Sequence, residues 1–195
     1  MSVVPVPELG RRVKVASRAL AVASTDQKDD ALRTAADLLV ARADEVLAAN
    51  EADVAAAGDR GEPATVIDRL RLTPARVESM AGGLRNVAGL PDPVGEVLDG
   101  WVRPNGLRIS RVRVPLGVVA IIYENRPNVT SDAAALCLKS GNGAFLRGSS
   151  GAIRSNTAVV AVLREAVEKA GLPADAVVLV EDTSREAAGE FMRQR

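Results

Sequence analysis

The sequence has 195 residues, 47% of them hydrophobic and 26% charged, and its 25 basic and 25 acidic side chains cancel. This charge balance disfavours binding to nucleic acid or to an anionic membrane, and an aromatic content of 2% leaves little to stack on bases. One cysteine and no histidine exclude a histidine-based triad, an internal disulfide and a paired-cysteine zinc site.

The amino-terminal stretch MSVVPVPELGRR lacks the long apolar segment of a signal peptide, and no apolar run approaches the length of a membrane span. We therefore expect a cytoplasmic protein without membrane partners. The length suits one domain or a large part of a bigger one.

The first part of the chain is predicted to be helical. Apolar residues recur at helical spacing through residues 7–57, and the charges lie mostly opposite them, which favours a packed amphipathic layer over a partner-binding hairpin. Thr25 is predicted to cap the second helix. Thr73 followed by Pro74 predicts the start of another helix, since proline suits the first helical position.

A pair of strands is predicted over residues 91–114, with a turn at 104–106, Pro-Asn-Gly. Apolar and polar residues alternate through 107–114, apart from one slip at Ser110-Arg111. The slip predicts a β-bulge in this second strand.

From residue 118 the predicted order is β-α-β-α-β-α, which indicates a parallel, right-handed, doubly wound sheet. The apolar, β-branched run 118–122 predicts a first strand buried on both faces. Further strands are predicted at 144–146 and 176–180, and the helix between them is predicted to start at Ser155 or Asn156. The last predicted helix, 185–193, leads to no fourth strand, so we expect an incomplete sheet.

Polar residues follow two of these strands, and ligands of open α/β sheets bind at the carboxyl ends of strands. The loop 123–128 reads YENRPN and the turn 147–151 reads RGSSG. Arg147 can bind a phosphate or ribose, and Ser149 and Ser150 offer hydroxyls at a helix start, where anions are favoured. The turn fits a nucleotide cofactor; an ordinary strand-to-helix turn with a serine cap is the alternative.

Other side chains of this region are candidates for chemistry. Asn125 and Asn128 can polarise a carbonyl or hold an oxyanion, although Asn128 suits a cap or turn equally well. Asp132 suits a helix start rather than acid/base work with Glu124. Cys137 lies in an apolar helical stretch without a histidine to activate it, so we expect a buried small hydrophobe and not a nucleophile.

The string RVPLGVVAIIYENRPNVTSDAAALCLKSGNGAFLRGSS, residues 113–150, closely resembles the gamma-glutamyl phosphate reductase (glutamate-5-semialdehyde dehydrogenase) family of the aldehyde dehydrogenase superfamily. The segments IDRLRLTPAR, 67–76, and DPVGEVLDG, 92–100, resemble the same family. The resemblance runs from the first predicted helix to the last and is densest over 111–150.

This resemblance implies an α/β, aldehyde-dehydrogenase-like fold: an incomplete doubly wound parallel sheet with a helical layer and a β-strand pair. It assigns residues 1–90 to the helical amino-terminal part of the cofactor-binding domain and 91–114 to a strand pair that reaches toward an oligomerisation region. Residues 115–195 then form the βαβαβα part of an NADP-binding domain. A homo-oligomer is consistent with it.

The resemblance implies an oxidoreductase that reduces L-glutamyl 5-phosphate to L-glutamate 5-semialdehyde with NADPH in proline biosynthesis. In that family a cysteine thiolate attacks the acyl phosphate, phosphate leaves, and hydride reduces the thioester. That cysteine belongs to a second domain beyond Arg195, so we expect the chain alone to be inactive. Asn125 is the one catalytic candidate, for the oxyanion, Asn128 is the substrate-binding candidate, and no metal site is expected.

The resemblance also implies cofactor contacts. Tyr123 and Glu124 lie in a loop that borders the nicotinamide, and Arg147 replaces the usual lysine at the adenosine ribose. Ser149 and Ser150 fall where further ribose or phosphate contacts occur.

Two alternatives stay open. The chain can be a short nucleotide-binding or interaction module without catalysis. NADPH is also not separated from NADH by the residues themselves, since Arg147 and Arg154 suit a 2′-phosphate while Glu181 and Asp182 oppose one.

Overall fold

The fold is described by a computed structural model that covers residues 4–194. Within these residues five helices come first, a pair of strands follows, and three strands then alternate with three helices. The elements are α1 Val6–Leu20, α2 Thr25–Ala41, α3 Ala43–Asp59, α4 Ala64–Leu70, α5 Pro74–Ala88, β1 Val97–Val102, β2 Arg108–Val112, β3 Val118–Ile122, α6 Pro127–Lys139, β4 Gly143–Arg147, α7 Ile153–Lys169, β5 Val177–Leu179 and α8 Arg185–Met192.

The sheet topology confirms the predicted α/β class. Strands β3, β4 and β5 form a parallel sheet in that order, whereas β1 and β2 form a separate antiparallel pair. No helix within residues 4–194 is long and apolar enough to cross a membrane. The division of the chain at residues 90 and 114 stays a prediction.

Side chains of the sheet alternate between two apolar layers. Phe145 of β4 packs against α1 and α8, and its ring centroid lies 4.5 Å from that of Phe191. Ala144 and Leu146 point to the opposite face, into the larger core that α2, α5, α6 and α7 share. The helical layer of the amino-terminal part is therefore one wall of the sheet's core.

The first strand of the sheet is not buried on both faces, contrary to the prediction. Within the described chain β3 pairs only with β4, and Ala120 and Ile122 are exposed while β4 and β5 are almost wholly buried. The prediction was wrong because an apolar run shows that a strand suits burial, not how many neighbours cover it.

The bulge of the strand pair lies in the other strand from the one predicted. Val97 faces Val112 and Asp99 faces Arg111, so Leu98 is the extra residue and Ser110 pairs regularly with Gly100. The pattern of one strand could not locate the bulge, because a bulge belongs to the register of two strands.

Helix starts follow local capping chemistry. Thr73 caps α5 as predicted, accepting a hydrogen bond from the Arg76 amide at 3.2 Å. The cap of α2 is Ser24 and not Thr25: Ser24 and Gln27 form a reciprocal capping box. The Thr25 hydroxyl instead donates to Asp92 at 2.7 Å.

Two helices begin earlier than predicted. Helix α6 starts at Pro127, which places Asp132 inside the helix rather than at its start. Helix α7 starts at Ile153 after a 3-10 turn at Ser150–Ala152, and the predicted start residues Ser155 and Asn156 are fully buried within it.

Two buried lysine–aspartate pairs tie the helical layer to the rest of the chain. Lys28 of α2 is 1% exposed, and its Nζ lies 2.5 Å from Asp92, just after α5. Lys139, at the end of α6, donates to Asp29 of α2 and to the Ala88 carbonyl at 2.9 Å. Each charge in the interior thus has an opposite partner, without which burial would be costly.

We predict that Asp92→Asn destabilises the protein by about 3–5 kcal/mol at neutral pH, because it leaves the buried Lys28 ammonium unpaired. Burial raises the pKa of Asp92, but hydrogen bonds from Lys28, Val94 and Thr25 outweigh it and hold the pKa below the usual 3.8. Because the pKa of Asp92 is lower in the folded state than in the unfolded state, this stabilisation is fully present above pH 3.8. It is lost as the pH falls through the folded-state pKa.

Urea unfolding at pH 7 and in acid measures both effects, and the difference between wild type and variant is expected to shrink in acid. Asp99→Asn is the control, since Asp99 and Arg111 form an exposed pair at 2.9 Å whose loss costs less than about 1 kcal/mol. Equal losses in the two variants would contradict the prediction.

Candidate functional site

The loop after β3 and the turn after β4 lie side by side at one edge of the sheet. Ile122 pairs with Arg147, and the Tyr123 amide donates to the Arg147 carbonyl at 3.1 Å, one residue past the strand end. The parallel register therefore delivers both polar segments to the same place.

Asn125 faces the glycine-serine turn. The Ser149 hydroxyl donates to the Asn125 amide oxygen, and a Cβ added at Gly151 would lie 2.6 Å from that oxygen. A side chain at position 151 would thus displace the Asn125 side chain from the turn. The Asn125 Nδ2, the group that would donate to an oxyanion, has no protein acceptor within residues 4–194, and this role stays a prediction.

The Tyr123 side chain points into the protein. Its hydroxyl lies 2.7 Å from the Thr130 hydroxyl, which lies 3.0 Å from the Asn156 amide oxygen, and burial raises the pKa of Tyr123 to about 12. The neutral phenol thus fastens the loop to α6 and α7. The side chain of Glu124 is exposed at the same edge. Cofactor contacts from either residue stay predictions.

Arg147 is oriented by a contact that the sequence did not reveal. Its Nη2 donates to the carbonyls of Thr183 at 3.1 Å and Ser184 at 2.8 Å, between β5 and α8. No other nitrogen of this guanidinium has a protein acceptor within residues 4–194, and Nε is buried without one. The guanidinium is therefore fixed in place with donors to spare.

The groups around the turn suit a ligand rich in oxygen acceptors. Ser150 is exposed, and Arg147 adds a positive charge beside it. A Cβ at Gly148 would overlap the buried Asn156 amide, so glycine there serves internal packing. The arrangement fits the ribose and phosphates of a nucleotide.

The loop also borders a cleft on the side away from the glycine-serine turn. Arg126 and Asn128 line a cleft of about 310 Å³ together with residues of the α4–α5 connection and of α5. The Asn128 amide donates to Asp132 at 3.1 Å within the first turns of α6. Asn128 is thus a residue of the first turn of the helix, and it lies away from the glycine-serine turn that Asn125 contacts.

Cys137 is buried in α6, as expected, and burial raises the pKa of its thiol to about 11. A protonated, inaccessible thiol is a poor nucleophile. Among residues 4–194 no three histidine, cysteine, aspartate or glutamate side chains come together in a way that could hold a metal ion.

The fold is that of the aldehyde dehydrogenases. Residues 8–195 match the aldehyde dehydrogenase family, and the chain belongs to that family. At 19% identity, a probable aldehyde dehydrogenase from Listeria monocytogenes shares the fold, with a TM-score of 0.75 over 97% of this chain and 39% of the other.

More similar proteins are gamma-glutamyl phosphate reductases. The chain is 53% identical to that of Mesorhizobium japonicum over 95% of its own length and 44% of the relative's, and 54% identical to that of Clostridium beijerinckii over 94% and 44%. The crystal structure of the Thermotoga maritima enzyme superposes with a TM-score of 0.96 at 44% identity, over 98% of this chain and 46% of that one. The chain spans less than half the length of these relatives.

We predict that Cys137 is alkylated by iodoacetamide about a hundredfold more slowly in the folded chain than in the chain unfolded in urea, at pH 8. A pKa raised from 9.0 to about 11 lowers the thiolate fraction by about that factor, and burial adds a barrier to access. Mass spectrometry of timed samples measures both rates. Equal rates would show an accessible thiol and would reopen the question of a nucleophile in this chain.

Proposed function

We propose that this chain forms the cofactor side of an enzyme that reduces L-glutamyl 5-phosphate to L-glutamate 5-semialdehyde with NADPH, in proline biosynthesis. One observation carries the proposal: within a chain 53% identical to a gamma-glutamyl phosphate reductase, the YENRPN loop and the RGSSG turn lie together with unused donors. Aldehyde dehydrogenase family membership supports a nicotinamide cofactor.

In this proposal Arg147, Ser149 and Ser150 hold the ribose and phosphates of NADPH, which supplies the hydride when it is bound. Thr183 and Ser184 keep the Arg147 guanidinium in place through their carbonyls. Tyr123 and Glu124 border the nicotinamide. The Asn125 amide donates to the substrate carbonyl oxygen as negative charge develops on it, and Tyr123 holds the Asn125 loop rigid.

The nucleophilic thiol comes from outside these residues. The sequence has one cysteine, and Cys137 is buried and protonated at neutral pH. The chain alone is therefore inactive in this proposal, and the complete enzyme is cytoplasmic. The exposed apolar residues of the strand pair, among them Trp101 and Val102, support a homo-oligomer.

The test is a fusion of residues 1–195 to the remaining part of the Mesorhizobium japonicum relative. We expect the fusion to reduce NADP when L-glutamate 5-semialdehyde and phosphate are supplied, the reverse of the proposed reaction, and the isolated chain to show no activity. In the fusion, Arg147→Gln is expected to raise KM for NADP about tenfold, the effect of one lost charged hydrogen bond.

Arg18→Gln in the fusion is the matched control, because Arg18 is exposed on α1 and forms no ion pair within residues 4–194. A folded fusion without activity would contradict the proposed reaction and favour a nucleotide-binding module. Activity of the isolated chain that disappears in Cys137→Ser would overturn the proposal that the thiol lies elsewhere.

A further inference from the structure

The cleft on the far side of the loop, called the basic cleft here, holds an excess of unpaired arginines. Arg69, Arg71 and Arg126 line it, and none of the three forms an ion pair within residues 4–194. The fourth arginine of the cleft, Arg76, is neutralised by Asp68, with Nη2 at 3.1 Å from the carboxylate. The volume of about 310 Å³ suits a small molecule.

The backbone around Arg71 forms hydrogen bonds with side chains at three successive residues. The buried Asn50 amide donates to the Leu70 carbonyl at 2.9 Å and accepts from the Leu72 amide at 2.7 Å. The Arg71 carbonyl accepts from Arg76 at 2.7 Å. The Arg71 side chain itself makes no hydrogen bond within the described residues, so a rigid backbone presents a free guanidinium to the cleft.

Asn50 is in turn part of a buried network. It donates to the Ser155 hydroxyl at 3.0 Å, and Ser155 donates through its hydroxyl and its amide to the buried Asp53 at 2.7 and 2.8 Å. Ser155 lies in the first turn of α7, just after the glycine-serine turn. The Arg71 segment and the start of α7, next to the proposed cofactor turn, are therefore connected by the same buried hydrogen-bond network.

Arg126 and Asp132 complete the cleft from the other side. Arg126 is extended, with φ −138° and ψ 90°, as the residue before Pro127 must be, and its amide donates to the Glu124 carbonyl at 2.8 Å. Its side chain is exposed and unpaired within residues 4–194. The Asp132 carboxylate is contacted by the Asn128 amide and by no cation there.

We propose that the basic cleft binds the amino-acid end of the substrate, with Arg71 and Arg126 on its α-carboxylate and Asp132 on its α-ammonium. The inference rests on the proposed function, which makes the substrate a derivative of glutamate. Guanidinium groups match the geometry of a carboxylate, and a carboxylate in the same cleft suits a cation beside it.

The presence of Asp132 argues against a plain anion site. A phosphate group in the cleft would meet an unpaired carboxylate as well as the arginines, whereas a zwitterion satisfies both signs of charge. The placement of the amino-acid end in the cleft also fits the loop, because Asn125 faces the turn and Arg126 faces the cleft. The reacting end and the amino-acid end of one substrate would then lie on different sides of the loop.

The test is titration of the isotope-labelled 195-residue chain, followed by backbone amide shifts, with L-glutamate, glutarate, 4-aminobutyrate and inorganic phosphate. We expect L-glutamate to bind tightest. Glutarate, which lacks the ammonium, and 4-aminobutyrate, which lacks the α-carboxylate, are each expected to bind about tenfold more weakly, as for one lost charged hydrogen bond.

Three exposed variants separate the roles. Arg71→Gln and Arg126→Gln are expected to weaken L-glutamate and glutarate but not 4-aminobutyrate, and Asp132→Asn to weaken L-glutamate and 4-aminobutyrate but not glutarate. Arg18→Gln, which removes an exposed and unpaired arginine outside the cleft, is expected to leave all four affinities unchanged. Unchanged amide spectra without ligand verify folding.

Phosphate binding as tight as that of L-glutamate, tighter L-glutamate binding by Asp132→Asn, or no shifts at the cleft would each overturn the proposal. Such a result with an active fusion protein rejects the cleft and leaves the proposed function standing. Glutamate binding with the expected variant pattern and an inactive fusion rejects the reaction alone.

Discussion

The parallel pairing of β3 with β4 is the constraint on which the candidate site depends. The bond from the Tyr123 amide to the Arg147 carbonyl carries that pairing past the strand ends. It brings the loop beside the turn closely enough for Asn125 to contact Ser149. A side chain at Gly151 would displace the Asn125 side chain from this contact.

Buried polar groups extend this order into the helices. The hydroxyls of Tyr123 and Thr130 and the Asn156 amide connect the loop to α6 and α7, while Asn50 and Ser155 connect α7 to the segment that carries Arg71. Buried hydrogen-bond networks of this kind favour one arrangement of the elements they join, although the Asn156 Nδ2 has no acceptor within residues 4–194. These networks explain how helices that are distant in sequence from the sheet can position side chains at its edge.

The sequence predicted what neighbouring residues determine. Thr73-Pro74 predicted the start of α5, and the short apolar runs predicted β4 and β5, because capping and strand burial are local or periodic. The start of α6 was missed although a local signal existed, since Pro127 occupies a first helical position.

What escaped prediction depends on partners distant in the chain. The buried Lys28 requires Asp92, and Asn50 requires the loop around Leu72; neither lysine nor asparagine is buried without such partners. The same holds for the site. Arg147 was predicted from its position after a strand, but its anchoring carbonyls lie beyond the next strand. The basic cleft joins α4, α5 and α6, whose closeness only the fold reveals.

The measurement that tests the central claim most directly is a map of backbone amide shifts as NADPH is added to the 195-residue chain. The account predicts shifts at residues 147–153 and at Glu124 and Asn125, with little change at Arg71 or in the strand pair. Shifts centred on the basic cleft, or none at the turn while the chain stays folded, would contradict the assignment of the two faces of the loop.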